Sequence, residues 1–192
     1  RRATEVVTQS GWTERFDAIA SNADIVHTYR DLLGGSNRGR DEGKALAKKR
    51  FSPSLFVVHF GIEGNWPGIP HHTILFGPRY KGLLKDIYDH GVLPADFSIY
   101  LHHPTVTDPS MAPEGKSTFY ALVPVAHMGK LALDWEQVGP LLEKRILDEV
   151  SRRLIPDIQY RIVTKFHYAP RDFALDLNAH LGSAFSLEPI LT

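Results

Sequence analysis

The sequence contains no cysteine. Disulfides, thiolate nucleophiles and cysteine-ligated metals are therefore excluded, and a cytoplasmic protein is the expectation. No excess of either charge is present: 22 Lys and Arg residues balance 22 Asp and Glu. Binding nucleic acid through bulk charge needs a basic surface, so no nucleic-acid partner is expected, whereas a neutral, apolar ligand is compatible. No apolar run approaches the roughly 20 residues of a spanning helix. A signal peptide is also missing: RRATEVVTQSG at the start reads as the interior of a domain, and LGSAFSLEPILT at the end carries no polar tail. Both ends are expected to continue into something longer. GxGxxG, Walker, GxSxG and HExxH patterns are absent too. The sequence thus offers no dinucleotide pyrophosphate loop, hydrolase elbow or zinc-protease helix.

Apolar residues make up 43% of the 192 positions, enough for the core of one domain of ordinary size. The chain is organised around Ser54–Gly77, in which SLFVVHFG and HHTILFG flank a Gly/Pro/Trp-containing loop. These runs read as a pair of strands forming a hairpin with both faces mostly apolar, so each side of the sheet needs cover. Phe56, Val58, Phe60 and Ile62 share one face; Leu55, Val57 and His59 share the other. One face is expected to pack on helices and the other to meet a ligand. Alternation leaves open which is which.

Upstream, residues 3–20 read as a β-hairpin turning at Ser10-Gly11. A Ser-Asn-Ala turn leads to Asp24 as the N-cap of a short helix, with Ile25, Tyr29, Leu32 and Leu33 on one face and Gly34 at its C-terminal end. Residues 36–50 hold six Lys/Arg and read as an exposed loop leading into a short helix. Their basic edge could meet anionic lipid headgroups. Downstream, Tyr80–His90 reads as a helix ended by Gly91, Asp96–His103 as a strand, 104–117 as a long connection and Thr118–Ala126 as a strand. Pro140 is expected to open the main helix, with Asp134–Val138 a separate turn and Leu142, Ile146, Val150 and Leu154 as the buried stripe. Ile158–His167 reads as a strand and 170–180 as a short helix. No regular βαβ repeat is present. The expected class is α+β: a mixed, largely antiparallel sheet with helices packed on it.

Ten histidines raise the question of a metal. His71-His72 and His102-His103 are adjacent pairs in predicted strands, where neighbours point to opposite faces, so one pair cannot ligate one ion. One histidine from each pair plus His59 could meet, but no carboxylate spacing supports it, and no metal site is expected. Asp108, near Ser110 and Glu114, is a loop carboxylate that reads as a turn former. The strand aromatics carry more: Phe56, Phe60, Phe76, Phe97, Tyr100, Phe119, Tyr120 and Phe166. They serve either as core or as one wall of a long apolar channel.

SNADIVHTYRDLL, SLFVVHFG, HHTILFGPRYKGLL, DFSIYLHHPTVTDPSMAPEG, FYALVPVAH, DWEQVGP, ILDEV and LNAHLGSAFSLEP, in that order, resemble segments of bacterial-type phytoene desaturases. HHPTVTDPSMAPEG is the most specific of them. These are FAD-dependent carotenoid enzymes of the amine-oxidase-like flavoprotein group. The resemblance implies an oxidoreductase of carotenoid synthesis that dehydrogenates phytoene towards lycopene, hydride passing to flavin. It implies that residues 1–34 belong to the connection with the flavin domain. Residues 35–192 would form the substrate-binding domain and return towards the flavin domain at their end. Ser21, Asn22 and Ala23 are the expected cofactor-proximal turn. Phe56, Val58, Phe60, Phe97, Tyr100, Phe119 and Tyr120 are the expected substrate-binding residues. No catalytic residue is carried over, because the family's flavin motifs are not in this sequence. The implied partners are phytoene, partly desaturated carotenoids and a membrane surface met peripherally; the number of subunits stays open. A hydrophobic-ligand or membrane-docking module without chemistry, and a related carotenoid oxidase or C30 desaturase, are the alternatives.

Overall fold

The computed structural model describes residues 2–189; the last three residues of the expected 35–192 unit lie outside them. The N-terminal hairpin is present as β1 (Glu5–Val7) and β2 (Thr13–Arg15), paired antiparallel. It is shorter than its sequence pattern, since residues 16–20 leave the ladder and stay exposed. Asp24 caps α1 (Ile25–His27), its carboxylate accepting from the Val26 and His27 amides at 2.9 and 3.1 Å. The helix continues as a π-helical turn over Thr28–Leu32. That wider turn rotates the expected face away: Val26 is fully buried, while Leu32 is 61% exposed. Gly34 is not the left-handed cap expected of it. A Cβ there would lie 2.1 Å from the Arg30 carbonyl oxygen, so close backbone approach is what requires glycine.

Residues 37–46 are helical from the start, not a loop. Ser36 caps α2 (Asn37–Leu46) by accepting from the Gly39 amide. Gly39 and Gly43, one turn apart, are both buried. A Cβ on Gly39 would sit 2.0 Å from the Leu33 carbonyl oxygen, and one on Gly43 2.8 Å from Arg30 Cα. The glycine face of α2 therefore packs directly on the backbone of residues 30–33, and the lysines and arginines are left to solvent. The unit boundary expected at 34/35 falls inside this helix pair.

The main sheet has five strands, all antiparallel, in the order β4-β5-β6-β3-β7. Its members are β3 (Ser54–Glu63), β4 (His72–Leu75), β5 (Ile99–His102), β6 (Lys116–Val125) and β7 (Ile162–Tyr168). The expected hairpin of the two runs in Ser54–Gly77 is not formed. β3 pairs along its whole length with β6 and on its other side with β7, whereas β4, with β6 and β5 between it and β3, is the edge partner of β5. A ten-residue partner offers a longer ladder than the four-residue β4, so the 64–71 segment crosses over instead of turning back. Between β4 and β5, α3 (Tyr80–Lys85) runs into a π-helical turn over Asp86–His90 that ends at left-handed Gly91, the stop the sequence predicts.

α4 (Trp135–Arg153) closes one face of the sheet. It is one helix, with Asp134 capping it through the Glu136 and Gln137 amides and Pro140 inside. Pro140 is the sixth residue of the helix, beyond the amides that lack an intrahelical acceptor, so it removes one backbone hydrogen bond within the second turn; burial of the stripe that follows holds the helix continuous across it. Leu142, Ile146 and Val150 are buried as the spacing predicts, and Leu147 joins them. They meet Phe56, Val58, Phe60, Ile62, Phe119, Ala121 and Val123 in one core. Each fully buried large side chain contributes about 1.5–3 kcal/mol. The buried carboxylate of Glu143 is held by Lys165 Nζ at 2.5 Å and His167 Nδ1 at 2.8 Å. Burial pushes its pKa up, but those two hydrogen bonds outweigh burial and hold it below the usual value.

A 3₁₀ turn over Ile158–Tyr160 replaces the first part of the expected last strand. α5 (Pro170–Asp176) then opens at Pro170 as expected. The final segment folds back on the entrance to β3: Phe51 bridges Leu187, the Ser52 amide donates to the Ser186 carbonyl, and Ala184 donates to Pro53.

Candidate functional site

The two faces of the sheet differ in kind. Phe56, Val58, Phe60 and Phe119 are no more than 2% exposed and point at α4. Their contacts are committed to the core, which corrects the expectation that they line a ligand surface. Phe97 precedes β5 and packs beside that core, with the Arg145 guanidinium 5.3 Å above its ring. Of the seven expected residues, only Tyr100 and Tyr120 fall on the opposite, open face.

Register assembles the open face. His72 stands opposite His102, His102 opposite Tyr120, Tyr120 opposite His59, and His59 opposite Phe166. One ring from each strand therefore lines up in a single row perpendicular to the strands. Successive centroids along it are 5.4, 4.5, 5.6 and 4.7 Å apart. At about 4.8 Å per strand the row spans roughly 19 Å. A second row, Ile74, Tyr100, Leu122, Val57 and Tyr168, runs beside it in register.

The surface is apolar without being dry. Burial holds the His59 pKa below its usual value, so the ring is neutral near pH 7. Burial, and then Tyr100, push the Tyr120 hydroxyl up. No lysine, arginine or carboxylate stands in either row. At the β3–β7 end a groove of about 360 Å³ opens between the sheet and the 111–113 loop, lined by His59, Met111, Pro113, Val163 and Phe166. That loop belongs to the 104–117 connection, which folds as two 3₁₀ turns over Pro104–Val106 and Pro109–Met111. Asp108 caps the second by accepting from the Ser110 hydroxyl and amide, which lowers its pKa; it is the turn former predicted.

At the opposite end of the row, the structure overturns one inference from strand alternation. His71 lies in the bend before β4, where strict alternation does not hold, and its ring centroid is 4.4 Å from that of His72. His71, His72 and His102 converge, whereas His59 is three strands away. The signal for the open face was present in the sequence. On β3, β4, β5 and β6 polar-tipped rings recur at the open-face positions (59; 72; 100 and 102; 120), although His103 and His167 stand on the packed side, stacked on Phe119 and Phe56. Phe166 joins them through its pairing with His59, which register alone reveals.

Ser21, Asn22 and Ala23 form an exposed turn ahead of α1. The Ser21 hydroxyl accepts from the Ala23 amide at 3.4 Å and pairs with the Thr28 hydroxyl at 2.9 Å. Nearby Val7, Trp12, Phe16, Ile19, Leu32 and Leu33 are exposed apolar residues. Among the described residues no helix is long and apolar enough to cross a membrane.

No family model matches the chain. It is 51% identical over 191 residues to a lycopene-forming phytoene desaturase of Paracoccus sp., covering 100% of this chain and 38% of that protein. It is 48% identical over 191 residues to the lycopene-forming phytoene desaturase of Pseudescherichia vulneris, covering 100% of this chain and 39% of that protein. The chain thus spans well under half the length of the curated relatives it matches. The fold is similar to that in a crystal structure of reduced UDP-galactopyranose mutase, with a TM-score of 0.52 at 18% identity, covering 86% of this chain and 31% of that one. This likeness places the sheet and its helices in a known architecture.

Proposed function

Because the chain corresponds over its whole length to a segment of the bacterial-type phytoene desaturases, we propose that it is the substrate-binding portion of an FAD-dependent enzyme that dehydrogenates phytoene towards lycopene. The observation that carries this reading is the 51% identity across the entire chain. The open face supports it. A neutral polyene needs a long apolar surface with few polar groups, and two rows of rings and aliphatic side chains answer that need. His59 and the tyrosines would hold the chain by their ring faces, while Met111 and Phe166 would keep water from one end.

Bound FAD would accept hydride from allylic carbons that side chains cannot activate alone. The residues at hand fit one edge of such a cofactor and not its cradle. Ser21–Ala23 is an exposed polar turn, but the pyrophosphate needs a glycine-rich loop and the sequence has none. The uncovered apolar residues around that turn fit a further layer of protein supplying the cradle. The substrate unit on this reading begins near Phe51 and ends near Leu187, where the two ends meet, later than the 35 read from sequence.

Two measurements test the proposal separately. The purified chain should show no flavin absorbance; tight FAD binding would remove the cofactor from its proposed place outside. The intact gene product, expressed in cells that accumulate phytoene, should yield lycopene. Unchanged phytoene would overturn the activity, and a shorter or differently oxidised carotenoid would reassign the substrate.

Peripheral membrane contact is part of the same reading. Arg38, Lys44, Lys48 and Lys49 are exposed on and after α2, and Leu32 and Leu33 are exposed on the turn it packs against. Each cation near an anionic surface adds on the order of 1 kcal/mol. Arg50 adds less, because its guanidinium pairs with Glu188 at 2.6 Å. Co-sedimentation with anionic vesicles at low salt should fall when Lys44, Lys48 and Lys49 become Gln. Unaltered binding would end the headgroup role.

A further inference from the structure

We propose that His71, His72 and His102 form a binding site for one divalent transition-metal cation, bridging β4 to β5 at the open edge of the sheet. Each of the three offers a ring nitrogen, and these atoms lie within 4.8 Å of one another. Register creates the site: His72 stands directly opposite His102, and His71 swings in from the bend before β4. Imidazole is a ligand for zinc, copper, nickel and iron, and three such groups with an open fourth position are an established zinc arrangement.

The outer contacts sort the nitrogens. His71 Nδ1 is hydrogen-bonded to the Thr107 hydroxyl at 2.6 Å, and His72 Nδ1 to the Tyr100 hydroxyl at 2.7 Å. Fixing the far nitrogen through a second group is how ligating histidines are oriented and their tautomer set. Nε2 is the nitrogen these contacts leave free on both, and on His71 it faces His102. His71 Nε2 and His102 Nε2 already lie 2.8 Å apart. Metal–nitrogen bonds of about 2.0–2.1 Å in tetrahedral array set neighbouring nitrogens roughly 3.3 Å apart, so the pair needs to part by only about 0.5 Å.

His102 has a second unusual feature. Its Nδ1 is buried and has no hydrogen-bond partner. Its hydrogen-bonding contact runs through Nε2 to His71, with Tyr120 and His72 packed on the ring, and a cation at Nε2 would replace that single polar contact with a coordinate bond. None of the three is hydrogen-bonded to a carboxylate that would favour imidazolium. His72 is exposed, which leaves an entry path and room for water in the fourth position.

Without an ion, one N–H lies between His71 Nε2 and His102 Nε2; a cation takes the place of that contact, and the proton moves to the far nitrogen of the same ring, each imidazole staying neutral. A bound cation would also join the short edge strand to its only neighbour by coordination as well as by backbone hydrogen bonds.

Titration calorimetry of the chain, purified without a polyhistidine tag, with Zn²⁺ as the probe tests the site. One equivalent should bind, and Co²⁺ should give the visible bands of a tetrahedral complex. His71→Ala and His102→Ala should each weaken binding at least tenfold. Thr107→Val should weaken it about tenfold as the loss of an orienting group, and His90→Ala, remote from the cluster, should not. Absence of saturable binding, or binding that survives His71→Ala and His102→Ala, overturns the proposal. Should His102→Ala fail to fold by circular dichroism, His72→Ala decides, because its exposed ring lies at the sheet edge.

Discussion

The two faces of the five-stranded sheet are built from alternate residues of the same strands, yet they answer to different demands. Towards α4 stand Phe56, Val58, Phe60, Phe119, Ala121 and Val123, all hydrocarbon and all dry. Away from it stand His59, Tyr100, His102, Tyr120 and Phe166, half-buried or exposed, with α5 packed against Tyr168 at the end of the second row. A dry face is free to omit hydrogen-bonding groups. A face that meets water in one state and a ligand in another gains from rings that are apolar on their flats and polar at their tips. The division of labour therefore shows in chemistry as well as in burial.

Substitutions on either side should separate the faces. Phe119→Ala empties a core position and should destabilise by about 3–5 kcal/mol, seen as a large fall in the denaturant midpoint. A loss below about 1 kcal/mol would mean that the α4 face is not the core. Glu143→Ala leaves Lys165 and His167 without their acceptor beneath α4 and should cost about 2 kcal/mol. The same carboxyl gives a pH signature. Its folded-state pKa lies below the ordinary value, so its contribution is present above the ordinary carboxylate range and is lost as pH falls through the lower folded value. Glu143→Gln should flatten that acid limb in a stability–pH series. The smallest effect on stability is expected at the next ring over. Phe166→Ala, on an exposed position, should change stability by less than about 1 kcal/mol. On the proposed function, the same substitution in the full-length protein should nonetheless reduce phytoene conversion. Unimpaired conversion would detach the aromatic row from the proposed function.

Much of the architecture was legible because it follows local rules. Asp24 and Asp134 cap where their spacing says, Gly91 stops its helix in the left-handed conformation, and the four-residue recurrence of Leu142, Ile146 and Val150 marks the buried stripe. What escaped was decided at longer range. Pairing length sent β3 to β6 rather than to β4, which no local pattern encodes. A π-helical turn redirected Leu32 and Leu33 to solvent. Helix-on-helix contact, visible only as Gly39 and Gly43 one turn apart, started the helix at Asn37 in a stretch that reads as a loop leading into a short helix. For the candidate site, aromatic content drew attention to this sheet, but Phe56, Val58, Phe60 and Phe119 lie on its packed side and Phe97 beside it. Register, not ring count, separates the faces. The convergence of His71 with His72 depended on a bend one residue before the ladder begins.

The bridge between Phe51 and Leu187 has a consequence for portability. A chain segment of this size whose entrance and exit are hydrogen-bonded neighbours can be carried within another protein without stretching its host, because the host sees only a narrow gap where a short loop could stand. Such a module can change its ring rows or its histidine edge while the host keeps its own geometry. Ligand preference and host chemistry are then free to diverge separately, joined at one doorway two strands wide.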